Sequence, residues 1–488
     1  MLLTMELLSQ DRTLPTPSSA SVSSAPSHPG SSREVLVIVP AGVVLASLDL
    51  FIVNVALPQI ARDLGASNLG ELSWVLNGYA IAYAALLVFF GRLADRYRRD
   101  RGFLVGVAIF TAASAGCAAS TSVGMLVAFR LVQAAGAALL TPTALGLVLA
   151  TNGPERRPSA VRAWTAVGGF SGAVAPVIGG LLVAASWRWV FLVNLPVGIA
   201  ALVVGWRRLP HVPGHESERP DPLGVILVTA GVALLTFGLT KGSDWGWTSA
   251  AIGGALLGSA VLIGLFVLHC VQGRNPLIHP SLFRSRTFTG ASIVAIFFSA
   301  SFGGMLLSIV LWEQGIWGWS ALKSGLAIAP GPIVVPFIAF VVAGRMIARY
   351  GPARVIALGA AAFGVGVAWW ALAVEVHPNY VSGLLGGMLL TGIGVGLALP
   401  TMMSTASSSL PPPLFATGSA VINMIRQTGF ALGIAVLVAV LGTRATHPGG
   451  PVLHVFRVGW WVTAGISFAG IVPALALLRR AATARTTA

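Results

Sequence analysis

Three ionisable residues stand inside long apolar runs: Asp49, Arg130 and Arg426. A fourth, Glu313, sits at the end of another. Charge in such runs is rare and costly, so each is a functional candidate by default. Asp49 and Arg130 lie at similar depths in their runs, given about 1.5 Å of rise per helical residue. A pair that separates when Asp49 takes up a proton would tie proton movement to helix movement. Arg426, near the middle of its run, is placed to meet a substrate or an acid. Glu313 is placed to meet a cationic substrate or water. Asn54 and Gln133 share the runs of Asp49 and Arg130 and complete the polar set facing a possible substrate cavity.

Other chemistries lack their residues. The only lysines are Lys241 and Lys323, and neither follows a glycine, so no phosphate-cradling Gly-Lys-Ser/Thr loop exists. The chain therefore cannot hydrolyse ATP with its own residues. No His-Glu-x-x-His pair is present either. Cys117 and Cys270 fall in separate apolar runs and read as small buried hydrophobes. The histidines mostly occupy loops or run ends. No cofactor, no metal and no enzymatic activity are expected.

The elements that must position these residues are membrane helices. Of 488 residues, 56% are hydrophobic and 9% charged, with mean hydropathy +0.85. A soluble fold cannot cover that much apolar surface with polar groups. Apolar runs of about 20 residues, enough to cross the hydrocarbon of a bilayer, recur fourteen times between residues 35 and 478. The Ser- and Pro-rich residues 1–34 read as a disordered cytoplasmic tail and not as a signal peptide. Residues 35–208 form a first group of six spans, 209–272 hold two more, 273–478 form a second group of six, and 479–488 are a cytoplasmic tail.

The net charge of +15 would suggest nucleic acid on a soluble chain. Here most arginines fall in one set of alternate loops, which reads as a topology signal with both termini in the cytoplasm and no nucleic-acid partner. All but two of the 14 tryptophans, Trp164 and Trp206, fall near the opposite ends of the spans, where indole prefers the lipid–water interface. The halves repeat. Gly91-Arg-Leu-Ala-Asp-Arg-Tyr97 closes the second span and Gly344-Arg-Met-Ile-Ala-Arg-Tyr350 the tenth. Gly136 is echoed by Gly394 two spans later in each half. Parallel repeats of this kind are a transporter architecture.

The motifs are specific. Gly91-Arg-Leu-Ala-Asp-Arg-Tyr-Arg-Arg-Asp-Arg101 resembles the signature of the major facilitator superfamily, with Arg98 where a second glycine is usual. Leu48-Asp-Leu-Phe-Ile-Val-Asn-Val-Ala-Leu-Pro58, Arg130 with Gln133 and Gly136, and the block Trp187 to Gly198 resemble the fourteen-span drug:proton antiporters of that superfamily. The fold implied is all-α, with fourteen transmembrane helices as two six-helix bundles plus two linker helices. The first motif implies a gating latch of Gly91, Asp95, Arg96, Arg99 and Arg101. In its second copy Ala348 replaces the acid, so the latch is one-sided. Gly168 to Gly180 is similar to an exporter motif, whose weight falls on Gly172, Pro176, Gly179 and Gly180.

The resemblance implies proton-coupled export of amphiphilic or cationic small molecules by a monomer in a bacterial inner membrane, with protons and the lipid bilayer as its other partners. A dedicated exporter of one endogenous metabolite fits the same motifs. A non-transporting receptor or scaffold is a third possibility, against which stands the cost of keeping Asp49 in the membrane.

Overall fold

The computed structural model describes residues 29–153, 155–214, 220–273, 275–411, 414–442 and 452–478. It is helical, without strands among the described residues. In chain order the helices are α1 (Pro29–Asp63), α2 (Leu69–Arg96), α3 (Arg99–Ala118), α4 (Val123–Thr151), α5 (Arg157–Ala185), α6 (Trp189–Arg208), α7 (Pro222–Trp245) and α8 (Ala250–Gln272). They continue as α9 (Arg286–Ile316), α10 (Ala321–Tyr350), α11 (Pro352–Ala373), α12 (Tyr380–Ser408), α13 (Phe415–Leu441) and α14 (Val452–Leu478). Thirteen are long and apolar enough to cross a membrane over their described residues. The remaining helix, α5, is 29 residues long. Helices satisfy their own backbone, which is why lipid-facing segments adopt them.

Sequence sets the helix starts. Asn68 accepts from the Glu71 amide at 2.8 Å, Ser122 from Met125 at 3.2 Å and Asp221 from Gly224 at 2.9 Å. Each satisfies a first-turn N–H that has no intrahelical partner. One boundary differs from expectation. α1 begins at Pro29, so residues 29–34 are helical rather than part of a disordered tail. Proline is favoured in a first helical turn because it lacks only an N–H that would be unpaired there. The rest of that tail, 1–28, and the tail at 479–488 lie outside the described residues.

The two groups of six show the same internal contact. In the first, a methyl group at Gly136 of α4 would lie 2.9 Å from the Phe110 Cα of α3. In the second, one at Gly394 of α12 would lie 2.7 Å from the Phe363 amide nitrogen of α11. Only glycine permits backbones this close. The sequence repeat is therefore a repeat of helix crossings. α7 lies against α2 and α13, with the Ser243 hydroxyl donating to Ala439 O at 2.9 Å. α8 packs on α7 through Ser259, whose hydroxyl donates to Gly231 O at 2.8 Å, and exposes Leu257, Val261, Leu265 and Leu268.

The tryptophans divide in a way their positions along the chain do not reveal. Trp189, Trp245, Trp247, Trp369 and Trp461 are exposed, as interface anchors are. Trp187, Trp312, Trp370 and Trp460 are fully buried. Trp312 of α9 meets Trp460 of α14 edge-on, with centroids 5.3 Å apart, and Phe456 at 5.0 Å. These indoles are core, and the interface reading is corrected for them. Trp312→Ala is expected to cost about 3–5 kcal/mol. A fall in detergent melting temperature no larger than that of a surface Trp369→Ala would contradict this.

Candidate functional site

Four helices contribute to the network around Asp49. The α1 carboxylate pairs with the Arg130 Nη1 of α4, and both side chains are fully buried. Gln133, one turn along α4, donates to the other Asp49 oxygen at 2.9 Å and accepts from Arg130 at 2.7 Å. Asn194, at the break near the start of α6, donates to Asp49 at 3.4 Å. Ser114 of α3 accepts from Gln133 at 2.8 Å and from Asn194 at 3.3 Å. It donates back to its own helix at Phe110 O. A buried ion pair holds only if its remaining lone pairs and protons are met, and this network meets most of them.

Arg130 is held on its other sides too. Its Nε donates to Val75 O of α2 at 3.2 Å, and its guanidinium lies 4.0 Å from the Tyr79 ring centre. Nη2 has no hydrogen-bond partner. Tyr79 stacks on Tyr83, one turn further along α2, with centroids 5.9 Å apart and planes 5° from parallel. A change at Asp49 therefore bears directly on α4 and α6, and through Arg130, Gln133 and Asn194 on α2 and α3. The structure thus brings Asp49, Arg130 and Gln133 together. Asn194, Ser114 and Tyr79 belong to the same site, and sequence reasoning missed them.

The expected cavity residues separate. A narrow cleft lies between the groups of six, lined by Phe51, Phe298, Phe302, Phe430 and Arg426, among others. Of the four cavity candidates only Arg426 lines it. Gln133 belongs to the Asp49 network. Asn54 is buried on α1, turned toward Leu50 O and Phe51 O. Glu313 lies in the last turn of α9, as expected, but it is not wet. It is fully buried on a π-helical turn of α9, Leu311–Ile316, and neither carboxyl oxygen has a hydrogen-bond partner.

The exporter-motif glycines sit at crossings. A methyl group at Gly172 would lie 3.0 Å from the Phe51 ring of α1, and one at Gly179 2.8 Å from Ile52. At Gly180 it would lie 2.7 Å from the Leu322 Cα of α10, across the boundary between the two groups. Gly325 of α10 is the reciprocal position, with a methyl there 2.9 Å from the Pro176 carbonyl carbon. Nearby, Gln314 of α9 donates to Val55 O of α1 at 3.0 Å. The two groups therefore close on one another at the tryptophan-bearing end.

The arginine-bearing end is held differently. Arg92 is buried and donates to Pro276 O at 2.6 Å and Leu277 O at 3.3 Å, clasping the segment that leads to α9. Arg98 pairs with Asp100 at 2.6 Å and meets His211 at 2.6 Å. The Val212 amide donates to Asp100 at 3.3 Å. The acid that organises this loop is thus Asp100, with the segment after α6 docked on it. Arg99 lies over Gly146 of α4, and Arg96 and Arg101 are exposed. The Asp95 side chain lies outside the described residues. A methyl at Gly91 would meet nothing within 4 Å, so the close approach expected there is not made in this conformation.

Two repeated groups of six helices and a further pair, with an ion pair buried inside one group and a cleft between the groups, define a multi-pass membrane transporter. The chain belongs to the Major Facilitator Superfamily, whose model matches residues 41–434 and again 291–488. It is 33% identical over 416 residues, 84% of this chain and 76% of the other, to a tetracenomycin C resistance and export protein of Streptomyces glaucescens. It is 34% identical over 407 residues, 82% and 83% of the two chains, to a cephamycin export protein of Amycolatopsis lactamdurans. A methylenomycin A resistance protein of Bacillus subtilis is 30% identical over 460 residues, 92% and 93% of the two chains. Among solved structures, a POT family transporter superposes with a TM-score of 0.68 at 15% identity, over 93% of this chain and 99% of that one. At that identity the likeness concerns the fold.

Proposed function

We propose that this chain is a proton-coupled exporter of amphiphilic small molecules, a fourteen-span drug:proton antiporter working by alternating access. The observation that carries this reading is the fully buried Asp49–Arg130 pair, set among α1, α2, α3, α4 and α6. When Asp49 takes a proton the pair loses its Coulomb attraction, and helices joined through it gain freedom to shift. Relatives named for export or resistance support the outward direction.

With the arginine-bearing end in the cytoplasm, as the charge bias favours, the contact of Gly180 with Leu322 closes the outer end. The cleft then belongs to an inward-facing state. Opening of the outer end would bring Gly91, Asp95, Arg96, Arg99 and Arg101 into a closed inner latch. Residues 35–208 and 273–478 are the rocking bodies, with 209–272 as an accessory pair, in a monomer in the bacterial inner membrane.

The test uses everted vesicles from a pump-deficient host, energised to hold a pH gradient and reported by acridine orange. In vesicles carrying the chain, at least one compound from a panel of ethidium, chloramphenicol and 2-naphthoate is expected to dissipate the gradient. Compound accumulation that is equal with and without the gradient would remove proton coupling.

A further inference from the structure

Arg426 is a cation without an acid. It lies near the middle of α13, and its guanidinium lines the cleft between the two groups of helices. Among the described residues its one hydrogen bond is from Nη1 to the neutral Asn423 Oδ1 at 3.0 Å, and its buried Nε has no partner there. No carboxylate pairs with it among the described residues. The two acids nearest in kind, Asp49 and Glu313, are fully buried and do not line the cleft. The ionisable group facing Arg426 from the other half is the Tyr83 phenol, whose hydroxyl is 3.3 Å from the Thr141 hydroxyl.

A guanidinium kept at this depth without a counter-charge is costly, and its planar fork matches a carboxylate with two parallel hydrogen bonds. Around it stand aromatic side chains. Phe302 meets Phe51 with centroids 6.2 Å apart, edge to face, and Phe430 at 6.2 Å. Ring faces of this kind take flat apolar bodies by stacking or edge contact.

From this we infer that the central cleft is an organic-anion site, in which a carboxylate or phenolate pairs with Arg426 while an aromatic body lies against Phe51, Phe302 and Phe430. This rests on the transport reading and narrows its substrate class. A cation brought to the same place would meet Arg426 as a like charge with no acid to offset it. Tyr83 sets the site beside the Tyr79 stack and so beside Arg130, which places cargo and proton site one aromatic pair apart.

The experiment measures equilibrium binding to the purified full chain in lipid nanodiscs, without any gradient. Three probes share one ring system: 2-naphthoate, 2-naphthamide and 2-naphthylmethylammonium. Wild type is expected to bind the anion most tightly and the ammonium most weakly. Arg426→Gln is expected to weaken naphthoate binding about 30-fold or more and to leave naphthamide binding unchanged. Arg426→Lys recovers part of the loss. The naphthamide result, with the melting temperature, shows that the variant is folded. Equal or tighter binding of the ammonium to wild type overturns the inference. So does an anion preference that survives Arg426→Gln, or no binding of any probe to folded protein. Because binding needs no proton gradient, this result and the vesicle result can fail separately.

Discussion

Asp49→Asn is expected to abolish gradient-driven transport while leaving downhill exchange of the same compound. Asparagine keeps the shape of the side chain and one acceptor, but it cannot take and release a proton. In the native site the carboxylate meets Arg130, Gln133 and Asn194 together. The amide leaves Arg130 as an uncompensated buried charge whose Nη2 already lacks a partner. Breaking a buried pair from one side costs about 3–5 kcal/mol, so a lower melting temperature is expected as well. Asp49→Asn with Arg130→Gln separates the two effects. The double variant should regain stability, because no lone charge remains, and should still fail to use the gradient. Full gradient-driven activity in either variant would remove Asp49 from the coupling step.

Gly180→Leu is expected to stop transport without unfolding the protein. The atoms a new side chain would meet are the Leu322 Cα and the Ala321 carbonyl group, which cannot rotate away. Overpacking of this kind costs about 1–3 kcal/mol, and it is charged only to the state closed at the tryptophan-bearing end. Populations should therefore move toward the other state. On a background with Cys117 and Cys270 replaced by alanine, Ser324→Cys reports the change. Ser324 is fully buried beside the crossing. Its labelling by a water-soluble maleimide should rise about tenfold or more in the Gly180→Leu protein. Unchanged labelling with transport lost would place the damage elsewhere.

The architecture was legible in the sequence because hydrophobic length, arginine bias and repeated motifs are properties of single segments. The pairing of Asp49 with Arg130 was legible for a related reason: equal depth in two runs is a one-dimensional quantity. Asn194 and Ser114 were not. A lone amide or hydroxyl in an apolar helix has no spacing rule, and only the packing of α3 and α6 on α1 brings these two to the carboxylate. Asp100 and Arg92 were hidden likewise, since their partners are the amide of Val212 and the carbonyls of Pro276 and Leu277, far along the chain. The burial of Glu313 was not legible, because a place in the last turn of α9 does not tell which way the side chain faces. The tryptophans misled in part, because position along a helix fixes depth but not which face an indole occupies.

The crossing of α5 and α10 carries one more consequence. Its surfaces are peptide groups and glycine hydrogens, with no ionisable atom at Gly180, Gly325 or Pro176. Such a seal resembles a dry zip fastener: its grip comes from short-range dispersion and is indifferent to salt and acidity. The ion pairs lie elsewhere, Asp49 with Arg130 inside one half and Arg98 with Asp100 at the other end. The molecule keeps this crossing and its ion pair in different materials, so the backbone contacts at Gly180 and Gly325 do not themselves change with acidity.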